Sequence, residues 1–499
     1  MSETFDVVIV GAGLSGVGAG VHLQKRCPGK SFVILENRDA LGGTWDLFRY
    51  PGIRSDSDMF TLGYNFKPWR QRKAIADGAS IRNYVNETAR EHGLAPHIRL
   101  KHRVMKAEWS SAEARWTVTA EHEGVPKRFV CKFLIMATGY YNYQHGYQPE
   151  FKGAERFQGK IIHPQFWPEE YDYAGKRIAV IGSGATAMTL VPALAERAAH
   201  VTMVQRSPTW VVSLPAEDRL ANWMGRHLPA GLAYDLTRFR KIMFQQFFFR
   251  MCRTQPEKVK QRLLGMIREQ LGPDYDIAKD FTPRYRPWTQ RLCLVPDNDL
   301  FIAIREGRAS VETDTIETFT EKGLKLSSGK ELEVDVIVTA TGLSLQMMGG
   351  AEMFVDGAKV ETGKSFAYKG VMINDVPNMV WVIFGYLNAS WTLRADLISE
   401  YACRLINYLD EYGLDQATPR LKGAHDELPF SDFSSGYFQR AAEILPKQVG
   451  VAPWIQSQNY ARDLRDLRHS PLEDGVLELK RRPQAPADRS SPKPAEAVG

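Results

Sequence analysis

The chain has 499 residues, several times the usual domain length, which predicts two to four domains. Hydrophobic residues make up 44% and charged residues 24%, proportions that exclude a wholly disordered, fibrous or collagenous chain. A formal net charge of +6 is mild at this size; it suits phosphate-bearing small molecules and gives no reason to expect a nucleic-acid partner. The five cysteines, at 27, 131, 252, 293 and 403, form no CxxC pair. That spacing argues against a disulfide scaffold, a zinc ribbon or a dithiol redox enzyme. No metal site is expected, because the histidines show no ligand spacing. The N-terminus has no cationic segment, and no stretch reaches the roughly 18–20 apolar residues of a membrane span. A cytoplasmic location is expected.

Residues 6–10, Asp-Val-Val-Ile-Val, form a β-branched run that breaks at glycine, which predicts a buried parallel strand. Gly11-x-Gly13-x-x-Gly16 follows and opens a predicted helix over 14–26, with the next strand at Ser31–Glu36. In such a βαβ unit the first glycine makes the tight turn and the second admits a pyrophosphate. The third lets helix and strand pack closely, and the helix amides face the phosphates. Glu36, at the end of the second strand, supplies the carboxylate expected on a ribose hydroxyl.

Phe133–Met136 reads as a strand ending in Ala137-Thr138-Gly139, and the pattern returns at Val336–Thr339 with Ala340-Thr341-Gly342. A glycine at the carboxyl edge of a sheet allows close backbone approach to a ligand. Two such strands imply that the chain leaves each sheet and returns to it, so discontinuous domains are expected.

A second unit begins at 176, with Gly182-Ser-Gly184-Ala-Thr-Ala187, a predicted helix to about 197 and a strand at His200–Gln205. Alanine is an accepted third residue of the fingerprint. The strand is followed by Arg206-Ser207 and no acid. Arginine there matches a ribose 2′-phosphate, which a carboxylate would repel, so NADPH is expected over NADH. The plainer alternative is a solvated arginine at a strand end. Two dinucleotide sites in one chain imply hydride transfer between cofactors, which makes FAD the expected occupant of the first.

Residues 216–280 carry helical periodicity, with Phe244, Phe247, Phe248 and Phe249 among Arg238, Arg240, Lys241, Arg250 and Arg253. The expectation is an aromatic helix packed within a helical insert; a membrane-surface or lid helix is the less favoured alternative. Farther on, Asn388 and Ser390 precede a helix with apolar positions 393, 397, 401, 405 and 409. Ser390 is a candidate N-cap, and that helix end is a candidate support for negative charge on a reduced flavin. Trp391 is a candidate pocket residue. Beyond Arg481 the chain has four prolines and no periodicity, which predicts a disordered tail.

The fold class expected is α/β, with two Rossmann-like dinucleotide-binding domains, for FAD and NADP, and a helical insert. The FAD domain is expected over 1–145 and 343–480, the NADP domain over 146–215 and 283–342, the insert over 216–282 and the tail over 481–499.

Two longer patterns carry a family resemblance. They are Gly43-x-Trp45-x4-Tyr50-Pro51-Gly52-x3-Asp56 and Phe157-x-Gly159-x3-His163-x3-Trp167-Pro168. With the segments Gly42–Asp58 and Asn388–Asp396, they make the chain similar to type I Baeyer–Villiger monooxygenases of the class B flavoproteins, from about residue 5 to about 480. The ethionamide-activating subgroup is the part of that family it most resembles.

The resemblance implies that NADPH reduces FAD, that O2 adds at the flavin C4a position, and that the resulting peroxide attacks a ketone to give an ester or lactone. Oxidation of sulfides or thioamides is implied as a side activity. It also implies that the arginine of Pro287-Trp-Thr-Gln290-Arg291 supplies the positive charge this chemistry needs, a choice that spacing alone leaves open among Arg284, Arg286 and Arg291. Asp56 is implied as the partner that holds Arg291, selected over Asp58 by the motif. Gly43, Thr44, Trp45, Asp56, Gln290 and Asn388 are implied cofactor neighbours. Phe157, Gly159, His163 and Trp167 are expected to couple domain movement to NADP binding, with His163 not acting as a general base. The alternatives are an N- or S-hydroxylating flavin monooxygenase and, more remotely, a non-catalytic NADP(H)-sensing flavoprotein. The sequence is silent on oligomeric state.

Overall fold

The computed structural model describes residues 2–482, so the expected tail lies outside the described residues from 483 onward. The chain begins with β1 (Ser2–Val10), α1 (Leu14–Arg26) and β2 (Phe32–Leu35), followed by β3 (Ile98–Arg99), β4 (Arg103–Ser110), β5 (Arg115–His122) and β6 (Val125–Met136). After β7 (Lys160–Ile162) come β8 (Arg177–Ile181), α2 (Ala185–Leu194), β9 (His200–Gln205) and β10 (Val211–Leu214). The helices α3 (Arg219–His227), α4 (Ala230–Thr254) and α5 (Pro256–Leu271) precede β11 (Cys293–Pro296), β12 (Ala309–Thr313) and β13 (Val336–Thr339). The last elements of interest are β14 (Glu352–Val355), β15 (Ala358–Lys359), β16 (Met379–Trp381), α6 (Trp391–Glu411) and α7 (Tyr460–Arg468).

The α/β class read from the sequence is the one observed. One sheet has the order β15-β14-β4-β5-β6-β1-β2-β3, with β16 also pairing to β6. The other has the order β12-β9-β8-β13-β7, and all its pairs are parallel. Buried on both faces, β1 sends Val7 and Ile9 into one core and Val8 and Val10 into another. In β8, Ile178 and Val180 likewise separate from Ala179 and Ile181.

Each sheet recruits a strand from much later in the chain or from the far side of an excursion. Next to β1 lies β6, and next to β8 lies β13. These are the two strands that end in Ala-Thr-Gly. β1 is longer than expected because residues 2–5 also pair with β6, and α2 stops at Leu194, where the amide of Ala198 turns back to the Leu194 carbonyl.

Helix α6 buries all five anticipated positions, Leu393, Leu397, Tyr401, Leu405 and Leu409, and packs against α1. Ser390 stands at its N-cap but does not cap it; its hydroxyl pairs with that of Thr61 at 2.6 Å. Arg394, fully buried in α6, forms an ion pair with Asp463 of α7, and Tyr386 donates to the same carboxylate at 2.7 Å.

The aromatic helix departs from expectation. In α4, Phe239, Phe244 and Phe247 are exposed, whereas Phe248 and Phe249 are partly covered. The inward face of α4 is mixed, with Ala233, Tyr234, Ile242 and Cys252 buried beside Thr237 and Arg238. Arg238 donates to the carbonyls of Phe60 and Gly63 at 2.8 and 2.7 Å, and Gln245 reaches Asp58 at 3.2 Å. That face therefore satisfies backbone carbonyls as well as packing apolar side chains, while Phe239, Phe244 and Phe247 stay outside. Among the described residues no helix is long and apolar enough to cross a membrane.

Asp463→Ala is expected to strand the buried Arg394 charge and to lower stability by about 3–5 kcal/mol. Urea unfolding of the purified protein measures this, and an unchanged midpoint would show that the pair is dispensable.

Candidate active site

Both glycine fingerprints open onto one cavity of about 1290 Å³. Gly11 has φ +102° and Gly182 has φ +133°, conformations that L side chains rarely adopt. A Cβ on Gly11 would lie 2.6 Å from the Ala137 carbonyl oxygen, and one on Gly182 2.3 Å from that of Ala340. The two Ala-Thr-Gly strands therefore close each loop from the same side. Gly16 performs the packing role foreseen for it: a Cβ there would meet the Gly11 carbonyl at 1.8 Å.

Helices α1 and α2 start on Gly13 and Gly184, with no side-chain cap and no acid in the first turn. That leaves two positive helix ends unneutralised beside loops that line the cavity, which fits two pyrophosphate-bearing cofactors. A Cβ at Gly184 would meet nothing within 4 Å, so the loop is open on the ligand side.

Glu36 lines the cavity although its side chain is almost wholly buried. Its oxygens accept from the amides of Ala12 at 2.7 Å and Arg38 at 2.9 Å. Burial raises its pKa, and these two amides with nearby Arg38 oppose the rise. Arg206 and Ser207 line the other end of the cavity. Arg206 is exposed and has no acidic partner among the described residues. Ser183 braces its loop by bonding the Ser207 carbonyl at 3.0 Å and the Thr209 hydroxyl at 2.9 Å.

Arg291 sits just before β11, half-buried at the cavity wall, and is ion-paired to Asp56. It also donates to the Leu387 carbonyl at 3.3 Å and lies 6.0 Å from the Trp288 ring. Burial opposes its charge, but Asp56, Tyr437 and Tyr140 outweigh that effect and hold its pKa above the usual value. Arg284 and Arg286 are exposed, so the structure separates them from Arg291 where spacing did not. The two aspartates also separate. Asp58 is buried and occupied, capping the one-turn helix Met59–Leu62 through the Thr61 amide and accepting from Gln245. Asp56 faces the cavity.

Gly43, Thr44, Trp45, Gln290 and Trp391 also line the cavity. Asn388 does not: its amide is spent on the Gln458 carbonyl at 2.9 Å, inside the protein. Ala187 is buried behind the second loop. Phe157, Gly159, His163 and Trp167 all lie away from the cavity, along and just beyond edge strand β7. Gly159 fits against the Asp335 carbonyl, where a Cβ would approach to 2.4 Å, and Trp167 packs edge-on to Tyr173. His163 accepts from the Gln165 amide at 3.2 Å and its ring fills the space over Gly146. Its burial lowers its pKa, opposed by backbone contacts at Tyr147 and Gly342.

Sequence reasoning missed an aromatic wall. Tyr140 and Tyr141 share a 2.9 Å hydrogen bond, and Tyr140 packs on Phe384 and Trp391 at 4.4 and 5.3 Å. Tyr437 completes the set from a distant segment. Burial raises the pKa of all three phenols, that of Tyr141 to about 12. Only the adjacency of Tyr140 and Tyr141 to Gly139 was available as a signal; Tyr437 had none.

A family model described as flavin-binding monooxygenase-like matches residues 73–412, and one for an NAD(P)-binding Rossmann-like domain matches 9–71. The FAD-containing monooxygenase EthA of Mycolicibacterium smegmatis is 53% identical over 493 residues, covering 98% of this chain and 100% of its own. The probable FAD-binding monooxygenase AlmA of Acinetobacter baylyi is 47% identical over 499 residues, 99% of each chain. Among solved structures, a steroid monooxygenase bound to NADP has a TM-score of 0.76 at 22% identity, covering 96% of this chain and 100% of that one. An open cyclohexanone monooxygenase has the same TM-score of 0.76 at 20% identity, with the same 96% and 100% coverage.

Asp58→Ala is expected to cost about 1–2 kcal/mol through the lost cap. Asp56→Ala, whose ion pair is partly solvated, is expected to cost less than about 1 kcal/mol. Unfolding midpoints of the two variants separate these roles, and equal losses would contradict the assignment.

Proposed function

This chain belongs to the flavin-binding monooxygenase-like family, and we propose that it oxidises ketones to esters or lactones in the Baeyer–Villiger manner. FAD and NADP(H) are its cofactors, and the chemistry they supply when bound is hydride transfer and the activation of O2. The observation that carries the reading is the Arg291–Asp56 pair, set in the wall of the cavity shared by both glycine loops. Insertion of oxygen beside a carbonyl develops negative charge, and a guanidinium that stays protonated stabilises it without reorganising.

The chain's residues divide that work. Glu36 holds a ribose hydroxyl of FAD, with the pyrophosphate at Gly11 and Gly13. Arg206 takes the 2′-phosphate of NADPH, with Gly182 and Gly184 beneath the pyrophosphate. Gly43, Thr44, Trp45 and Gln290 border the cofactor space. Asp56 orients Arg291 and is a positioning residue. Tyr140, Tyr141 and Tyr437 remain protonated near neutral pH, so they donate hydrogen bonds beside Arg291 and add no competing negative charge. Trp391 and Phe384 supply apolar surface for a hydrophobic ketone, and sulfides are a second substrate class for the same pocket. The first sheet with α1 and α6 forms the FAD domain, and the second sheet with α2 the NADP domain. Phe157, Gly159, His163 and Trp167 act on the movement between them.

Aerobic turnover of a panel of linear, cyclic and aryl ketones, followed by mass spectrometry, tests the proposal. Esters or lactones are expected, and their absence across the panel with products only from amines or sulfides would favour the hydroxylating alternative. Arg291→Ala is expected to retain flavin reduction by NADPH but to lose ester formation by about 100-fold or more. Arg206→Ala is expected to raise KM for NADPH roughly 10–100-fold, the range of a hydrogen bond to a charged group, and to change KM for NADH little. Equal changes with both nucleotides would place the 2′-phosphate elsewhere.

A further inference from the structure

Helix α4 carries apolar side chains on its outer face as well as its inner one. Its inner face is mixed, with Ala233, Tyr234, Thr237, Arg238 and Ile242 buried, and its outer face carries Leu232, Leu236, Phe239, Met243 and Phe247. Successive members of the outer set are three or four residues apart, so they form one stripe about 22 Å long at 1.5 Å per residue. The stripe is not incidental surface: Phe239 is 65% and Phe247 61% exposed. On the neighbouring helix α3, Leu220 and Trp223 are exposed as well, three residues apart on one face. No residue of either helix lines the cavity, so this surface does not serve as its wall or its lid.

The charges around the stripe select its partner. Asp218, the N-cap of α3, engages Arg240 and also Lys241 at 2.7 Å, which ties α3 to α4 and leaves the cluster with a net positive charge. Arg219, Arg226 and Arg250 are exposed with no acidic partner among the described residues. The only acid within the two helices is Asp235. A two-fold contact between copies of this face would oppose arginine to arginine. An anionic surface with an apolar interior complements both features, since aromatic and aliphatic side chains enter the acyl boundary while arginines remain at the headgroups.

We infer that the outer face of α3 and α4 docks the protein on the surface of an anionic phospholipid bilayer, with α4 lying in the plane of the interface. No covalent chemistry is involved, and the docking is independent of which substrate the cavity accepts.

The test uses the full-length protein loaded with FAD. Co-sedimentation is measured with vesicles of phosphatidylcholine alone and of equimolar phosphatidylcholine and phosphatidylglycerol. Stronger binding to the anionic vesicles is expected, weakening as salt is raised. The double substitution Phe239→Ser with Phe247→Ser is expected to reduce bound protein by about 10-fold or more, because both rings leave the acyl region. Flavin content and NADPH oxidation should be unchanged in that variant. A second readout needs no change at the stripe: brominated phosphatidylcholine mixed into the anionic vesicles should quench Trp223, identified by loss of the effect in Trp223→Phe.

Failure of the unaltered protein to bind either vesicle would overturn the inference. So would binding that the double substitution leaves intact, or quenching that survives Trp223→Phe. A concentration-dependent dimer that the double substitution abolishes, without vesicle binding, would reassign the face to self-association and also overturn it. Ketone turnover is read separately, so loss of the docking result and loss of the proposed reaction are distinguishable.

Discussion

At both glycine loops a carbonyl oxygen just past the end of a neighbouring strand stands where a side chain would be. The Ala137 carbonyl does this at Gly11 and the Ala340 carbonyl at Gly182. Each loop is thus closed by a strand that comes later in the chain than other elements. β6 follows β4 and β5 before pairing with β1, and β13 follows the helical segment and β12 before pairing with β8. The discontinuity of the fold lies in this order of strands. It also brings the segments after Gly139 and Gly342 to the cavity, which is how Tyr140, Tyr141 and Leu343 come to line it.

The same geometry separates Arg291 from its exposed neighbours Arg284 and Arg286. Arg291 lies on the connection into β11, which pairs in parallel with β10, and the return from the helices presents it to the cavity wall. Asp56 arrives from the loop after the first βαβ unit. Their pairing joins two distant segments through partly solvated charges, an arrangement suited to holding a cation in place more than to stabilising the fold. The buried Arg394–Asp463 pair differs from it, because losing either partner would strand a charge between α6 and α7.

In α4 polar residues share the buried face with apolar ones, for a reason visible in its contacts. Backbone carbonyls at Phe60 and Gly63 face the helix and need donors, and Arg238 supplies them. An unpartnered buried carbonyl costs more than an exposed phenyl ring, which favours keeping Arg238 on the inward side. Aromatic periodicity alone gave the helix and could not give its orientation.

Much of the molecule was legible in one dimension. The two fingerprints, Glu36, Arg206 and the α/β class are local patterns, and the periods of strand and helix follow from backbone geometry that sequence encodes directly. Long motifs singled out Asp56 and Arg291 by resemblance. Sequence also carried the five buried positions of α6. Tertiary structure decided what depends on distant partners: that Asp58 is spent on a cap, that Asn388 is turned away from the cavity, and that Tyr437 joins Tyr140 beside Arg291. It also decided which side of α4 faces out. Those outcomes rest on which backbone groups meet across the fold and need hydrogen-bond partners, and a linear pattern of residue types does not contain that information.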